Sequence, residues 1–390
     1  MSLTKFLDDL SEQGIQLWVE GDRLRYRAPK DTMTPTLLAD IKQRKQEFLQ
    51  YFQNSETNYA LSHGQQALWF LHELAPTSPA YNVAFAAQLE IVLDIAAFRR
   101  ATQVLMGRHA TLRTTFPRHN GEPVQQVHGY QAVSLTHTDV PDPTTLEQQM
   151  MAAYRQPLDL KNGPVFRVHL FSQSAQYPVV LLVMHHIVVD GWSLQTLVEE
   201  LLHIYKAELN GQTINLPAPT HSYIDYVRWQ ADWLANADGS EALAYWREQL
   251  SGELPVLNLP TDRPHPTTHA FNGVTHPFQL PDSLSSQLKQ LARTENVTLY
   301  MLLLAAFEVL LYRYTSQSDL LVGSPVIGRT NPEFENVVGY FVNPIVLRTN
   351  LSNQTTFREL LTQVQKTVLE ALRYQEYPFP LLVELLRPGR

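Results

Sequence analysis

The sequence predicts a mixed α/β protein of two lobes, preceded by a small unit of its own. Residues 179–184 form an apolar run of strand length, and an amphipathic helical pattern follows over residues 194–205. Thr298 can cap a second, largely buried helix, and another apolar strand follows at residues 320–326. Residues 255–277 are rich in proline, so we expect this segment to cross between the two lobes without regular structure.

The N-terminal segment predicts a helix, a β-hairpin and a second helix. Apolar residues with helical spacing precede two alternating segments, residues 15–19 and 23–27, which flank a short turn that contains glycine. The pair Thr34-Pro35 is a strong start for the second helix, because threonine caps well and proline is preferred at the first helical position. We expect residues 1–52 to form one domain and the polar residues 53–59 to be a linker.

The composition excludes several classes of site. The 390 residues contain no cysteine, which excludes disulfides, thiolate zinc sites and a cysteine nucleophile. The formal net charge of −8 gives no global basic field that would attract nucleic acid. The N-terminus carries early acidic residues, and the longest apolar runs are shorter than the ~20 residues of a membrane span. We therefore expect a cytoplasmic protein that binds neither nucleic acid nor membrane.

The segment from Met184 to Ser193 is the strongest candidate for chemistry. It lies between a predicted strand and a predicted helix, where loops present reactive groups on a rigid frame. Successive side chains of a strand point to opposite faces, so at most one of His185 and His186 is expected to contact a substrate. Asp190 follows the strand and could cap the next helix or form an ion pair that orders the loop.

Other catalytic patterns are missing from the sequence. It contains no G-x-S-x-G elbow, no G-x-x-x-x-G-K-[ST] phosphate loop and no G-x-G-x-x-G dinucleotide fingerprint. A metal site would need a third ligand beyond the histidine pair, and no other cluster has ligand spacing. We expect no metal ion.

The segment His185-His186-x-x-x-Asp190-Gly191 resembles the H-H-x-x-x-D-G signature of nonribosomal peptide synthetase condensation domains and related acyltransferases. Five further segments resemble motifs of this family and occur in its order: residues 62–71, 108–116, 223–229, 338–343 and 374–379. The resemblance extends from about residue 59 to Arg390. The seventh motif of the family is absent, so the resemblance implies a C-terminally truncated domain.

The resemblance implies a fold of two chloramphenicol-acetyltransferase-like lobes in a V with a central tunnel. We assign residues 60–230 to the N-lobe and residues 231–390 to an incomplete C-lobe. In this family, donor and acceptor carrier proteins insert phosphopantetheine arms from opposite ends of the tunnel. The acceptor amine attacks the donor thioester and an amide forms. The chain itself is expected to bind no cofactor, because the carriers supply the arms.

Carried onto this sequence, the resemblance makes His186 and Gly191 the catalytic residues. His186 acts as general base or positions the reactants, and both roles stay open at this point. Gly191 brings its backbone N–H towards the developing oxyanion. His185 is expected to pack and order the loop.

The other implied site residues are structural or line the tunnel. Asp190 is expected to pair with an arginine, and Arg329 and Arg113 are the two candidates. Asn343 is expected either to border the tunnel or to lie in a turn. Ser193 is grouped with Asn343 as a residue of the tunnel region or its surroundings. Three residues depart from the usual family pattern, Ala67, Ala110 and Pro344, and together they suggest a polyketide or other acyl donor.

Residues 1–52 resemble the N-terminal docking domains of nonribosomal synthetases, and the match covers Gly14 through Phe52. Such domains receive the C-terminal docking peptide of an upstream synthase, often by strand addition to the hairpin. Arg23, Arg25 and Arg27 share one face of the second hairpin strand by its two-residue period, and Trp18 lies in the first strand. The basic stripe suits an acidic tail, or it blocks edge-to-edge aggregation as charged edge residues do.

Three alternatives stay open. A coenzyme A-dependent acyltransferase shares the histidine signature, and so does an epimerisation domain. A truncated, inactive condensation fold that only docks and binds carriers is the alternative from a different functional class.

Overall fold

The computed structural model describes residues 3–13, 15–20, 23–29, 32–48, 57–173, 176–263 and 273–386. The chain divides into two compact units. The first comprises Met1–Gln230 and Asn331–Phe341, and the second comprises Ala231–Thr330 and Val342–Arg390. Asn331–Phe341 therefore packs with the first unit, although the sequence-based division places it in the C-lobe. The four-part domain division otherwise stays a prediction.

The N-terminal part confirms the predicted order of helix, hairpin and helix. Its elements are α1 (Leu3–Glu12), β1 (Gln16–Glu20), β2 (Arg23–Arg27) and α2 (Pro35–Gln43). The two strands are antiparallel. The Thr34 side chain accepts a hydrogen bond from the backbone N–H of Leu37, as expected of an N-cap before proline. Buried apolar side chains from α1, from α2 and from the residues that follow each helix form a small core: Leu7, Leu10, Ile15, Ile41 and Phe48.

The body of the first unit is mixed α/β, as predicted. Its helices are α3 (His63–Leu74), α4 (Ile95–Arg108), α5 (Pro143–Arg155), α6 (Gly191–Asn210) and α7 (Tyr223–Ala235), whose residues from Ala231 onward belong to the second unit. Its strands are β3 (Thr57–Tyr59), β4 (Asn82–Gln88), β5 (Thr114–Thr115), β6 (Arg118–His119), β7 (Glu122–Pro123), β8 (Gln125–Val127), β9 (Ser134–Val140), β10 (Phe166–Gln173) and β11 (Gln176–His185).

The main sheet of this unit has the strand order β4-β11-β10-β9. Strand β11 is antiparallel to β4 and β10, whereas β9 is parallel to β10. Helices α4 and α6 bury their apolar sides on one face of the sheet, where Leu105 and Leu201 join Val168 in a common core. The predicted strand at residues 179–184 lies within β11, in the interior of the sheet. Its C-terminal end at His185 leads into the histidine loop.

The second unit contains five helices and a two-stranded sheet among its described residues. The elements are α8 (Ala237–Gln249), α9 (Asp282–Thr294), α10 (Leu299–Thr315), β12 (Asp319–Val326), β13 (Asn343–Asn350), α11 (Phe357–Arg373) and α12 (Phe379–Leu386). Strands β12 and β13 are antiparallel. Helix α10 begins at the predicted cap, because the Thr298 side chain accepts from the backbone N–H of Met301. Apolar residues of α8, α10, α11 and β13 form one core, which includes Trp246, Leu304, Val364 and Leu347.

The described residues between 255 and 277 have no helix or strand, as the prolines predict. Within the described part of the chain, no single helix is long and apolar enough to cross a membrane. Helices α9 and α10 meet the length and composition criteria only as a pair, which is bent by 105°.

Candidate active site

The histidine loop is fixed by backbone hydrogen bonds at both of its histidines. The N–H of His185 donates to the carbonyl of Val165, and the N–H of His186 donates to the carbonyl of Tyr81 at 2.8 Å. Residues His186–Val188 form one turn of 3-10 helix, and helix α6 starts at Gly191. The predicted arrangement of strand, short loop and helix is therefore present, with the candidate residues at the end of the strand.

The His186 side chain is half-buried, and its contacts determine its tautomer. Its Nδ1 lies 2.7 Å from the carbonyl oxygen of Val189. A carbonyl oxygen only accepts hydrogen bonds, so Nδ1 must carry the proton and donate. In the neutral imidazole the lone pair then lies on Nε2, which is the nitrogen that can accept a proton from a substrate.

Tyr340 packs against the same imidazole. The two ring centroids are 5.0 Å apart and the ring planes are inclined by 82°, which is an edge-to-face arrangement. The tyrosine ring also contacts Gly64, where an added Cβ would lie only 2.9 Å from Cε1 of Tyr340. Glycine at position 64 therefore leaves the space that the ring occupies beside His186. Burial raises the pKa of Tyr340 to about 12, so its hydroxyl is neutral at physiological pH.

Asp190 has two structural roles at the start of α6. One carboxylate oxygen accepts from the backbone N–H of Ser193 at 2.7 Å and caps the helix. The other accepts from the backbone N–H of Phe341 at 3.2 Å. The residue is fully buried, and a buried carboxylate needs such donors to offset its lost hydration. The predicted capping role is thus present, and the same side chain also holds the segment that contains Tyr340.

Two further side chains fix that segment. The hydroxyl of Ser193 donates to the carbonyl of Gly339 and accepts from its N–H, each at 3.0 Å. The hydroxyl of Tyr223 forms hydrogen bonds with the carbonyl of Tyr340 and with the hydroxyl of Ser62. A Cβ at Gly339 would lie 2.0 Å from the Tyr223 ring, so only glycine permits this close approach. Ser193 thus has a structural role in the first unit.

Gln65 connects the first motif to the histidine loop. Its side-chain oxygen Oε1 accepts from the backbone N–H of Ser62, and the Ser62 hydroxyl accepts from the backbone N–H of Gln65. The two bonds complete a capping box. The Gln65 amide group also donates to the carbonyl of Ile187 at 3.1 Å. Sequence reasoning identified this motif without singling out Gln65. The signal that identifies the residue is the Ser-x-x-Gln spacing before an apolar helix.

His185 is buried behind the loop and stays neutral. Its Nδ1 accepts from the backbone N–H of Ile187 at 3.1 Å. Burial, together with the neighbouring His72 and His186, lowers the pKa of His185 to about 3. A histidine with this pKa and without solvent access orders the loop and does not exchange protons with a substrate.

Gly191 is exposed at the first position of α6. An added Cβ would have no neighbour within 4 Å. The backbone there is open to an approaching group, and N–H groups in the first turn of a helix have no partner within the helix. The position is consistent with the predicted oxyanion contact, which stays a prediction.

The second unit gives Asn343 a defined role. Its amide nitrogen donates to the carbonyls of Gln375 and Tyr377, both at 2.8 Å, and its oxygen accepts from the N–H of Phe379 at 2.9 Å. The side chain therefore holds the loop before α12, and its expected position beside the tunnel stays a prediction. The predicted partner arginines divide between the units: Arg113, in the first, donates to the carbonyl of His128, and Arg329 lies in the second. Pairing of Asp190 with either arginine stays a prediction.

Comparison with known families decides which family this site belongs to. The condensation domain family matches residues 55–390, which is more than half of the chain. This chain belongs to the condensation domain family. The histidine motif, the first motif with Gln65 and the fifth motif with Tyr340 all lie within the matched region. Condensation domains catalyse amide bond formation and need no cofactor of their own.

Relatives of this condensation domain are synthase proteins that are much longer than this chain. One of the linear gramicidin synthase proteins of Brevibacillus parabrevis is 44% identical over 85% of this chain. Chondramide synthase of Chondromyces crocatus is 38% identical over 85% of the chain. The matched part is only 4% and 9% of the length of these two proteins.

Solved structures confirm the condensation-domain fold. The X-domain in complex with OxyB from teicoplanin biosynthesis has a TM-score of 0.79 and 27% identity, and the match covers 85% of this chain and 74% of that one. A holo four-domain nonribosomal peptide synthetase bound to AMP and glycine has a TM-score of 0.75 and 26% identity. That match covers 86% of this chain and 25% of the synthetase.

The N-terminal part matches the TubC N-terminal docking domain over residues 3–54. In its hairpin, Trp18 lies opposite Arg25, while Glu20 lies opposite Arg23 and Gln16 opposite Arg27. The two-residue period places these six positions on one face of the hairpin and Leu17 and Leu24, which pack on the small core, on the other. The side chains of Trp18 and the three arginines lie outside the described part of the structure.

Among the described residues, no group of three or more histidine, aspartate or glutamate side chains is arranged to hold a metal ion.

Proposed function

We propose that the chain catalyses peptide bond formation between a carrier-bound acyl or peptidyl thioester and a carrier-bound aminoacyl acceptor. The product would belong to nonribosomal peptide or hybrid polyketide–peptide biosynthesis. The observation that carries this proposal is the tautomer of His186, which leaves Nε2 as the proton acceptor at the end of β11. The family and its peptide synthetase relatives supply the reaction class.

In the proposed reaction, the acceptor amine attacks the donor thioester carbonyl and a C–N bond forms. Nε2 of His186 removes a proton from the attacking nitrogen, and the backbone N–H of Gly191 donates to the carbonyl oxygen as it gains negative charge. The C–S bond then breaks, and the imidazolium returns the proton to the departing thiolate. Both sulfurs belong to phosphopantetheine arms of the carriers, so a chain without cysteine can support the reaction.

The test is a mass-spectrometric condensation assay with a donor-loaded and an aminoacyl-loaded carrier. We would assay this chain and a form extended to the length of the solved domains, each with His186 or with His186→Ala. Loss of one acid–base group is expected to lower the rate by ~10²-fold or more. His119→Ala is the control, because His119 is an exposed histidine on the β6–β7 hairpin.

The outcomes separate the alternatives. A folded His186→Ala protein that makes amide at the native rate would refute the catalytic assignment. If all assayed proteins bind the carriers but none makes product, the chain is better explained as an inactive condensation fold that only docks and binds carriers. Product from a coenzyme A thioester in place of the donor carrier would favour a free acyltransferase.

We further propose that the N-terminal part binds the C-terminal docking peptide of an upstream synthase through the hairpin. Its support is the match to a docking domain and the hairpin register, which gives Trp18, Arg23, Arg25 and Arg27 a common face. Binding of an acidic peptide should weaken as salt rises, since exposed charges are screened over ~10 Å at 0.1 M. Fluorescence anisotropy with a labelled acidic tail, at two salt concentrations, tests this. Salt-independent binding would exclude the arginine stripe as the recognition surface.

A further inference from the structure

We propose that Tyr340 is a positioning residue that fixes the imidazole of His186 in the orientation needed for proton transfer. The inference rests on the proposed role of His186 as the reacting histidine. It concerns a residue 154 positions further along the chain, which the structure places in edge-to-face contact with the imidazole.

A single hydrogen bond leaves an imidazole ring free to tilt. The bond from Nδ1 of His186 to the carbonyl of Val189 fixes one ring atom, but the ring can still swing about that contact. The Tyr340 ring, with its centroid at 5.0 Å, blocks this motion from the side. The Nε2 lone pair then keeps one orientation. A catalytic group that is already aligned with its substrate reacts faster than one that must first rotate into place.

The Tyr340 ring can only have this effect if it is itself held in place. Its own carbonyl accepts from the buried hydroxyl of Tyr223. The residues on either side are held from the start of α6, Gly339 by Ser193 and Phe341 by Asp190. These bonds anchor the backbone before, at and after the tyrosine.

Gly64 also borders the Tyr340 ring. An added Cβ at this position would lie 2.9 Å from Cε1 and 3.1 Å from Cδ1 of Tyr340, closer than side chains normally approach. The backbone of Tyr340 is anchored, so the added methyl group would displace the ring and disturb its contact with His186. The identity of residue 64 and the orientation of the imidazole are therefore linked through Tyr340.

The hydroxyl of Tyr340 is not required by this argument. Tyr340→Phe should keep the condensation rate within about 2-fold, because the ring remains. Tyr340→Leu should lower kcat by about 10-fold, since an edge-to-face ring contact is worth at most about that factor. The KM for both carriers should stay nearly constant, because Tyr340 acts on His186. If Tyr340→Phe loses as much activity as Tyr340→Leu, the hydroxyl and not the ring is responsible, and the proposal is wrong.

A double-mutant cycle tests the link to Gly64. Gly64→Ala should lower kcat in the native background but cost little more in the Tyr340→Leu background, where no ring remains to be displaced. Gly107→Ala is the matched control, because that helical glycine has no neighbour within 4 Å of an added Cβ and should leave kcat unchanged. Additive losses from Gly64→Ala and Tyr340→Leu would overturn the coupling.

An activity-independent measurement distinguishes failure of this inference from failure of the proposed function. In the chain without carriers, ¹⁵N-histidine spectra report the tautomer and the mobility of the His186 ring. The native protein and Tyr340→Phe should both show one Nδ1-protonated form, and Tyr340→Leu should show an averaged signal. If all three spectra are identical while the folds remain intact, Tyr340 does not position His186, whatever the assay shows.

Discussion

The carboxylate of Asp190 accepts a hydrogen bond from the backbone N–H of Phe341, 151 residues further along the chain. The same carboxylate caps helix α6 through Ser193. One buried acid therefore joins the end of the histidine loop to the segment that carries Tyr340. The aspartate of the signature motif is a structural link in this domain, and its loss should affect the site and the stability of the fold together.

Asp190→Ala should lower the free energy of unfolding by about 2–4 kcal/mol. The estimate combines a lost N-cap with an unsatisfied buried N–H at Phe341. Urea unfolding gives this value. Asp142→Ala is the matched control, because Asp142 also caps a helix, through the N–H of Thr145, but lies at the exposed start of α5. The control should lose less stability and keep full condensation activity, and equal losses in the two variants would contradict the link to Phe341.

Local signals in the sequence predicted the elements around the site. Thr34 and Thr298 were predicted caps because a hydroxyl residue precedes a helical apolar pattern, and both caps are present. The apolar run at residues 179–184 has strand length, and the helical pattern predicted over residues 194–205 lies within α6. The Ser62–Gln65 capping box was also readable from spacing alone.

Contacts between distant segments were not readable in the same way. No periodicity indicates that the N–H of Phe341 reaches Asp190, or that Tyr340 lies against His186. The placement of residues 331–341 with the first unit depends on such contacts, and the domain boundary drawn from the sequence therefore differs there. The three hydrogen bonds of Asn343 likewise depend on the position of the segment that follows α11, which local sequence patterns do not predict. Sequence patterns report a residue's own element, whereas tertiary partners depend on the whole fold.

The pKa of His185 predicts a loss of stability in mild acid. The folded protein keeps this histidine neutral because its pKa is lowered to about 3, whereas the unfolded chain takes up a proton near pH 6.5. The free energy of unfolding should fall as the pH decreases from 6.5 towards 3, by about 2 kcal/mol at pH 5. His185→Asn keeps an acceptor for the N–H of Ile187 and does not titrate. Denaturant unfolding at pH 7.5 and pH 5 should show a smaller difference for the variant, and an unchanged difference would exclude His185 as the source.

Asn343→Asp should destabilise the second unit by at least about 2 kcal/mol. The substitution removes two donors and places negative charge beside the carbonyls of Gln375 and Tyr377. Hydrogen exchange should be faster at the backbone N–H of Tyr377, which donates to the Tyr374 carbonyl within the released loop. Asn353→Asp is the control, because Asn353 uses its oxygen to accept from the Tyr312 hydroxyl and aspartate preserves that acceptor. If the two variants are equally stable, the amide donors of Asn343 do not hold this loop.

Glu308 should make the stability of the second unit fall as the pH rises. Its side chain is fully buried on α10, and one oxygen accepts from the Thr349 hydroxyl at 2.9 Å. Burial raises the pKa of Glu308 to about 7, so the folded state holds a proton that the unfolded chain releases above pH 4.5. The stabilisation that this proton provides is complete below pH 4.5 and is lost as the pH rises to 7. The free energy of unfolding should therefore fall by about 3 kcal/mol over this range. Glu308→Gln removes the titration, so unfolding curves at pH 4.5 and pH 8 should differ less than in the native protein. The exposed Glu248→Gln should leave the native pH dependence intact, and if Glu308→Gln does the same, the buried carboxyl is not the titrating group.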